Sequence, residues 1–236
     1  MKVLVLGDGK LGSEIVKQTG WNYISRKKDG IDFTQALTYV DYIAEYDVIV
    51  NCIANTDTYS YDNASIREVN YKSVSKLSYH CNVMGKYLVH ISTDYVYANS
   101  KPFASETDLP LPSSNWYSYY KLLADEYITL TNNNHLICRC SFKSRPFEYE
   151  YAWNDQIGNF DYVDTIAGLI IKLIEKRAKG IYNVGTELKT ILDLAQQTKP
   201  NTKPINKPEH APADISMDLS KLKATLNENA SYDSKS

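Results

Sequence analysis

"VLVLGDGKLGSEI", residues 3–15, passes from an apolar run through three glycines into a helical pattern. Gly7 permits a tight turn at the strand end, and Gly9 lets backbone approach a pyrophosphate. Gly12 lets the following helix pack closely, and that helix offers its free N–H groups to phosphate oxygens. In this strand–turn–helix context the loop predicts a dinucleotide site; the plainer alternative is a simple turn. The next apolar stretch, "WNYIS" (21–25), leads into Ser25-Arg26-Lys27-Lys28. That cationic patch suits a ribose 2′-phosphate, with Arg26 best placed to bind it bidentately. NADP(H) is therefore preferred, and Asp29 and Asp32 keep NAD(H) open, because NAD sites put a carboxylate there.

From this start, apolar runs and helix-like segments alternate. Strands are predicted at 2–7, 21–25, 47–54, 86–92, 135–141 and 180–185. Helices are predicted near 11–19, 34–45, 64–84, 117–131, 162–177 and 188–197. Strands apolar on both faces and separated by helices predict an α/β fold: a Rossmann-like doubly wound parallel sheet with right-handed crossovers. Residues 1–141 are expected to form the NAD(P)-binding part. Residues 142–226 are expected to form a small C-terminal substrate-binding lobe, interleaved with the last strands and helices of the sheet domain. Lys-Pro pairs at 199–200, 203–204 and 207–208 predict an extended loop, and 212–226 a short strand and helix. Residues 227–236 have little to bury and are expected to fray.

Bulk properties fit this reading. The chain has 236 residues, 43% hydrophobic and 23% charged, and a net charge of −2. Nothing there points to nucleic acid or a membrane surface. No run approaches the ~18 apolar residues of a membrane span, and the first residues lack the pattern of a signal peptide. The four cysteines have no zinc-type spacing and the four histidines no cluster, so no metal site is predicted. Free thiols and the absence of a leader imply a cytoplasmic protein.

"NWYSYYK", residues 115–121, carries the chemistry. Tyr-x-x-x-Lys is common in a chain with twenty tyrosines, and occurs at Tyr23/Lys27, Tyr97/Lys101 and Tyr117/Lys121. Only the last pair falls in a helical pattern, where positions i and i+4 share a face. A second anchor is "LVHISTDYVY" (88–97), a strand ending in Ser92-Thr93-Asp94 where parallel sheets bind ligands. Thr93, Tyr117 and Lys121 thus form a carbonyl-reducing set. Tyr117 would donate the proton and Thr93 would hydrogen-bond the carbonyl oxygen. Lys121 would hold the nicotinamide ribose and lower the tyrosine pKa.

These motifs resemble the extended short-chain dehydrogenases/reductases, and among them the dTDP-4-dehydrorhamnose reductase family. "ISTDYVY" resembles the family's strand motif and "NWYSYYKLLADE" its catalytic helix; Thr93 and Tyr117 stand 24 positions apart (93 to 117), as in the family. "DVIVNCIANTD" resembles the cofactor-contacting strand, "REVN" carries the helix asparagine, and "DF" the adenine-loop pair. "NDQIG" resembles the loop near the substrate and "PADISMDLSKL" the closing segment. The likeness covers roughly residues 1 to 226. It implies cofactor contacts from Gly7, Gly9, Lys10, Leu11, Gly12, Arg26, Asp32, Phe33, Cys52, Ile53, Ala54, Asn70, Tyr117 and Lys121. It places Thr93, Asp94 and Tyr95 beside the substrate. Arg145 is a candidate to counter a diphosphate and Trp153 to stack on a base or sugar; packing and a solvated loop are the alternatives.

The glycine loop is one residue shorter than the family's. Three further departures fall on the substrate side: the segment 143–154 is abbreviated, the loop 155–160 lacks the family's Pro-Thr, and Ala211 stands where an arginine is usual. The resemblance implies an NADPH-dependent reductase of a 4-keto-6-deoxy sugar nucleotide, serving dTDP-L-rhamnose or a related sugar. An epimerase or dehydratase of the same fold is an alternative, the dehydratase ranked lower because Asp94 is followed by Tyr95. A non-catalytic NADP-binding regulatory subunit is another, favoured only by the shortened segment. Either the pocket closes by itself or a second copy, in a homodimer, completes it.

Overall fold

The computed structural model describes residues 1–59 and 63–227. Six parallel strands form the main sheet: β1 (Val3–Leu6), β2 (Asn22–Ile24), β3 (Val48–Asn51), β4 (Tyr87–Thr93), β5 (His135–Cys140) and β6 (Gly180–Asn183). Their order is β6-β5-β4-β3-β1-β2. From β1 the chain goes outward to β2, then crosses back to β3 on the other side. That reversal opens a crevice at the carboxyl ends of β1 and β3, where doubly wound sheets bind ligands.

Strand periodicity divides the core in two. Val3, Val5, Val48, Val50, Val89 and Leu136 face α1 (Lys10–Thr19) and α5 (Val163–Glu175). Leu4, Leu6, Ile49, Leu88 and Ile137 face the opposite layer, made of α2 (Val40–Ala44), α3 (Val74–Val83) and α4 (Trp116–Thr131). Successive side chains point to opposite faces, so strands covered on both sides read as continuous apolar runs. The last helix, α6 (Ser220–Asn227), adds Leu222 to the first layer. Cys138 and Cys140 are free buried thiols in that same layer.

Several expectations differ in detail. The charged stretch after β2 is one helical turn, Arg26–Asp29, because the Ser25 hydroxyl caps it by accepting from Lys28 N–H at 3.0 Å. The helix expected over 34–45 is split into the 3₁₀ turn Ala36–Thr38 and α2. The helix leading into α3 begins at Asn63 and passes through a π turn, Glu68–Ser73. Part of the Lys-Pro segment becomes a strand, Lys203–Ile205, paired with Tyr151–Trp153. After residue 141 a separate apolar cluster forms around Phe147, Phe160, Tyr162, Leu194 and Ile215. Of the tail expected to fray, residues 228–236 lie outside the described residues.

The glycines of the first turn are not equivalent. A Cβ on Gly12 would stand 2.1 Å from the Gly7 carbonyl oxygen, a backbone atom with no room to yield. A Cβ on Gly9 would meet nothing within 4 Å, and its φ of −66° suits any residue. Gly12→Ala should therefore destabilise the protein by about 1–3 kcal/mol, as overpacking does. Gly9→Ala should stay within about 0.5 kcal/mol of wild type. Paired thermal or urea unfolding curves check both, and equal loss in the two variants would contradict the packing argument.

Candidate active site

A cleft of about 580 Å³ lies at the carboxyl ends of the strands. One wall is the turn into α1, with Gly9, Lys10 and Leu11. The loop after β3 adds Cys52, Ile53 and Ala54. The opposite wall carries Thr93, Asp94 and Tyr95 from the end of β4, and Tyr117 and Lys121 from α4; Trp153 and Gln156 border its far end. Gly7 has a φ of +96°, a conformation reserved for glycine, and a Cβ there would come within 2.7 Å of the Ile53 side chain. The open space over Gly9 and the N-terminus of α1 give a pyrophosphate a place to approach, so the residues present fit a dinucleotide.

Thr93 ends β4, and its Oγ1 accepts from the Tyr95 N–H at 3.2 Å and donates to Asp94 Oδ1 at 3.3 Å. The start of α4 is set by Asn115, whose side chain accepts from Ser118 N–H at 2.8 Å. That cap brings Tyr117, in the first turn, against Thr93. Burial pushes the Tyr117 phenol well above its ordinary value, and a hydrogen bond with the Thr93 side chain works against that. The expected lowering by Lys121 is absent. Its Nζ donates to the Ile91 carbonyl at 2.5 Å and meets His90 Nε2 at 3.0 Å. Burial brings the Lys121 ammonium down to about 8, opposed chiefly by Asp125.

Other expected residues lie at different depths. Asn70, buried on the π turn, accepts from Asn55 N–H and donates to Asn55 C=O, both at 2.8 Å; it clamps the loop that carries residues 52–54. Phe33 is buried against Tyr39, and Asp32 accepts from the Thr34 backbone and hydroxyl. Arg26 is exposed; its carbonyl accepts from Gly30 N–H at 3.1 Å, and its charge helps to lower the Asp32 carboxyl after the hydrogen bonds from Thr34. Arg145 does not line the cleft: its guanidinium pairs with Asp164 at 2.9 Å and lies over the Tyr162 ring. Lys10 reaches across the cleft to Ser144 and Glu148 at 2.6 and 2.7 Å. Lys143, Thr56 and Ser141 also line the cleft, with no signal in the sequence to separate them from ordinary loop residues.

Asp94 is the second buried acid–base group of the site. Only 1% exposed, it leaves Oδ2 without a partner, and burial raises its carboxyl to about 7 despite Lys143 nearby. A carboxyl raised on folding binds its proton more tightly in the native state. Its contribution is thus favourable at low pH and is lost as pH rises from the ordinary carboxylate value near 3.8 through about 7. Asp94→Asn removes that loss. In the cofactor-free protein its melting temperature should gain on wild type between pH 4 and pH 7 and level off above; a gap independent of pH would contradict the assignment.

The model of the family described as RmlD substrate binding domain matches residues 1–143. The spore coat polysaccharide biosynthesis protein SpsK of Bacillus subtilis is 29% identical over 208 residues, spanning 78% of this chain and 72% of its own. A dTDP-4-dehydrorhamnose reductase of Burkholderia thailandensis is 31% identical over 151 residues, 60% of this chain and 50% of its own. The crystal structure of dTDP-4-dehydrorhamnose reductase from Bacillus anthracis in complex with NADP superposes with a TM-score of 0.79 at 22% identity, covering 94% of this chain and 91% of that one. By the family match over more than half its length, the chain belongs to the RmlD substrate binding domain family, that of the dTDP-4-dehydrorhamnose reductases.

Proposed function

We propose that the protein is an NADPH-dependent reductase of a 4-keto-6-deoxy sugar nucleotide, with dTDP-4-keto-L-rhamnose or a close relative as substrate. The observation that carries this reading is that Thr93 and Tyr117, whose side chains interact, line one cleft with the glycine turn. A bound nicotinamide supplies the hydride. The chain's own groups handle the oxygen of the substrate. Thr93 donates a hydrogen bond to the keto oxygen as negative charge develops, and Tyr117 passes its phenolic proton to that oxygen. One hydride on carbon and one proton on oxygen complete the alcohol. A phenol raised by burial holds its proton at neutral pH, so donation requires the bound complex to bring it back down.

Cofactor positioning falls to the first wall. Gly9, Lys10 and Leu11 would receive the pyrophosphate, Ile53 and Ala54 would lie along the dinucleotide, and Arg26 at the exposed turn after β2 would meet a 2′-phosphate. Tyr95 and Trp153 would bound the sugar. The neighbouring hollow, bordered by Tyr59, Trp116, Tyr119 and His210, offers aromatic faces for the nucleotide.

The direct test follows NADPH absorbance with dTDP-4-keto-L-rhamnose generated in the assay. Tyr117→Phe should lower kcat by about 10²–10⁴-fold with little change in KM, the usual cost of losing a proton donor. Gly9→Ala, stable by the argument above, should weaken NADPH binding at least tenfold. Turnover unaffected in Tyr117→Phe would overturn the proton-donor assignment, and tight NADPH binding without oxidation would move the reading to the regulatory subunit.

A further inference from the structure

His90 takes no part in the chemistry above, yet it is fully buried and touches Lys121. Register puts it there: Asn51 and His90 are partners across β3 and β4, on the sheet face that α4 covers. Four polar groups then connect in a line. Ile53 N–H meets Asn51 Oδ1 at 3.1 Å, Asn51 Nδ2 meets His90 Nδ1 at 3.1 Å, and His90 Nε2 meets Lys121 Nζ at 3.0 Å.

We propose that Asn51 and His90 form a directional hydrogen-bond chain that favours the neutral amine of Lys121 while the cofactor is absent, and that ties its conversion to the ammonium to release of the Ile53 N–H. A backbone N–H can only donate, so the Asn51 end that faces it is the carbonyl oxygen. The other end is then the NH₂, which donates to His90, so Nδ1 is a lone pair. A neutral imidazole with a bare Nδ1 carries its hydrogen on Nε2, and that N–H points at Lys121. An ammonium has three donors and no acceptor, so it would meet the ring donor to donor. An amine accepts from Nε2–H and still donates to the Ile91 carbonyl.

The surroundings do not undo this order. Asp125 on α4, Cys140 on β5 and Cys52 after β3 all favour the charged lysine, but burial outweighs them. Tyr117 precedes Lys121 by one turn on α4 and is held protonated by burial. The His90 ring is kept neutral by burial first and by Lys121 second. To accommodate an ammonium, the ring hydrogen must move to Nδ1 and the Asn51 amide must turn its oxygen toward it. That turn frees the Ile53 N–H on the cleft wall, and one proton from solvent is taken up at Nζ. His90 and Asn51 are positioning residues, acting on the reaction only through Lys121. This deepens the reductase reading, but the test below uses cofactor-free protein, so its failure and the failure of that reading are separate results.

The experiment is a titration of cofactor-free protein labelled with ¹³Cε-lysine, followed by NMR, with the Lys121 resonance assigned from Lys121→Arg. In wild type Lys121 should titrate at or below about 8. Asn51→Asp keeps an acceptor for Ile53 N–H and offers a second oxygen to His90 Nδ1–H, which turns the Nε2 lone pair toward Lys121. The Lys121 midpoint should then rise by about one pH unit, a tenfold change in proton affinity. In Asn51→Asp/His90→Leu most of that rise should vanish. An undiminished rise in the double variant would mean a direct charge effect, and no rise in the single variant would mean no coupling; either overturns the proposal. Should the double variant not fold, ¹⁵N-histidine spectra of wild type decide instead: an Nε2–H tautomer supports the chain, an Nδ1–H tautomer refutes it.

Discussion

The carbonyl oxygen of Gly7 occupies the space where a Cβ of residue 12 would stand. That close approach seats the N-terminus of α1 directly above the end of β1, at the point where the strand order reverses. From it follow the extended backbone at Gly9, the open face above it, and the position of Leu11 and Ile15 in the first core layer. Position 12 is thus both a packing constraint and the origin of the cleft, since the same turn that packs helix on strand leaves backbone N–H groups facing the crevice.

Beneath the cleft floor lies a second constraint, a layer of buried polar side chains. Arg139 donates from Nε to Asp125 at 3.0 Å and from Nη1 to the Tyr97 hydroxyl at 2.6 Å, while Ser92 donates to the same Asp125 oxygen. Together with Asn51, His90 and Lys121, these groups join β3, β4, β5 and α4. Burying charge is expensive, and a pair like Arg139–Asp125 adds little net stability. What it contributes is a fixed spacing between the end of β4 and the first turns of α4, which sets Thr93 against Tyr117. Removing one partner would leave an uncompensated charge, so the layer behaves as a unit.

Much of this was legible in the sequence. The apolar runs named all six strands of the main sheet, and most clearly the four buried on both faces, which have no competing pattern. The glycine turn and the placing of the Tyr117/Lys121 pair on a helix followed from local context alone. Less was legible where tertiary contacts decide. The direction of the Lys121 side chain depends on His90, thirty-one positions earlier in the chain, and on the Ile91 carbonyl. The separation of Arg145 from the cleft depends on Asp164, and the burial of Asp94 on packing that no spacing encodes. The short strands after residue 141 were invisible because two- and three-residue pairings carry no periodicity.

The chemistry itself is the sharpest probe of the site. The central claim is that the cleft delivers hydride to a keto carbon of a sugar nucleotide. The measurement that tests it most directly is deuterium transfer from NADPH deuterated at the reactive position of the nicotinamide, with the product analysed by mass spectrometry and NMR. The account predicts one deuterium on carbon 4 of the sugar, with the new hydroxyl hydrogen drawn from solvent. NADPH bound tightly with no deuterium in any keto sugar nucleotide offered would contradict it.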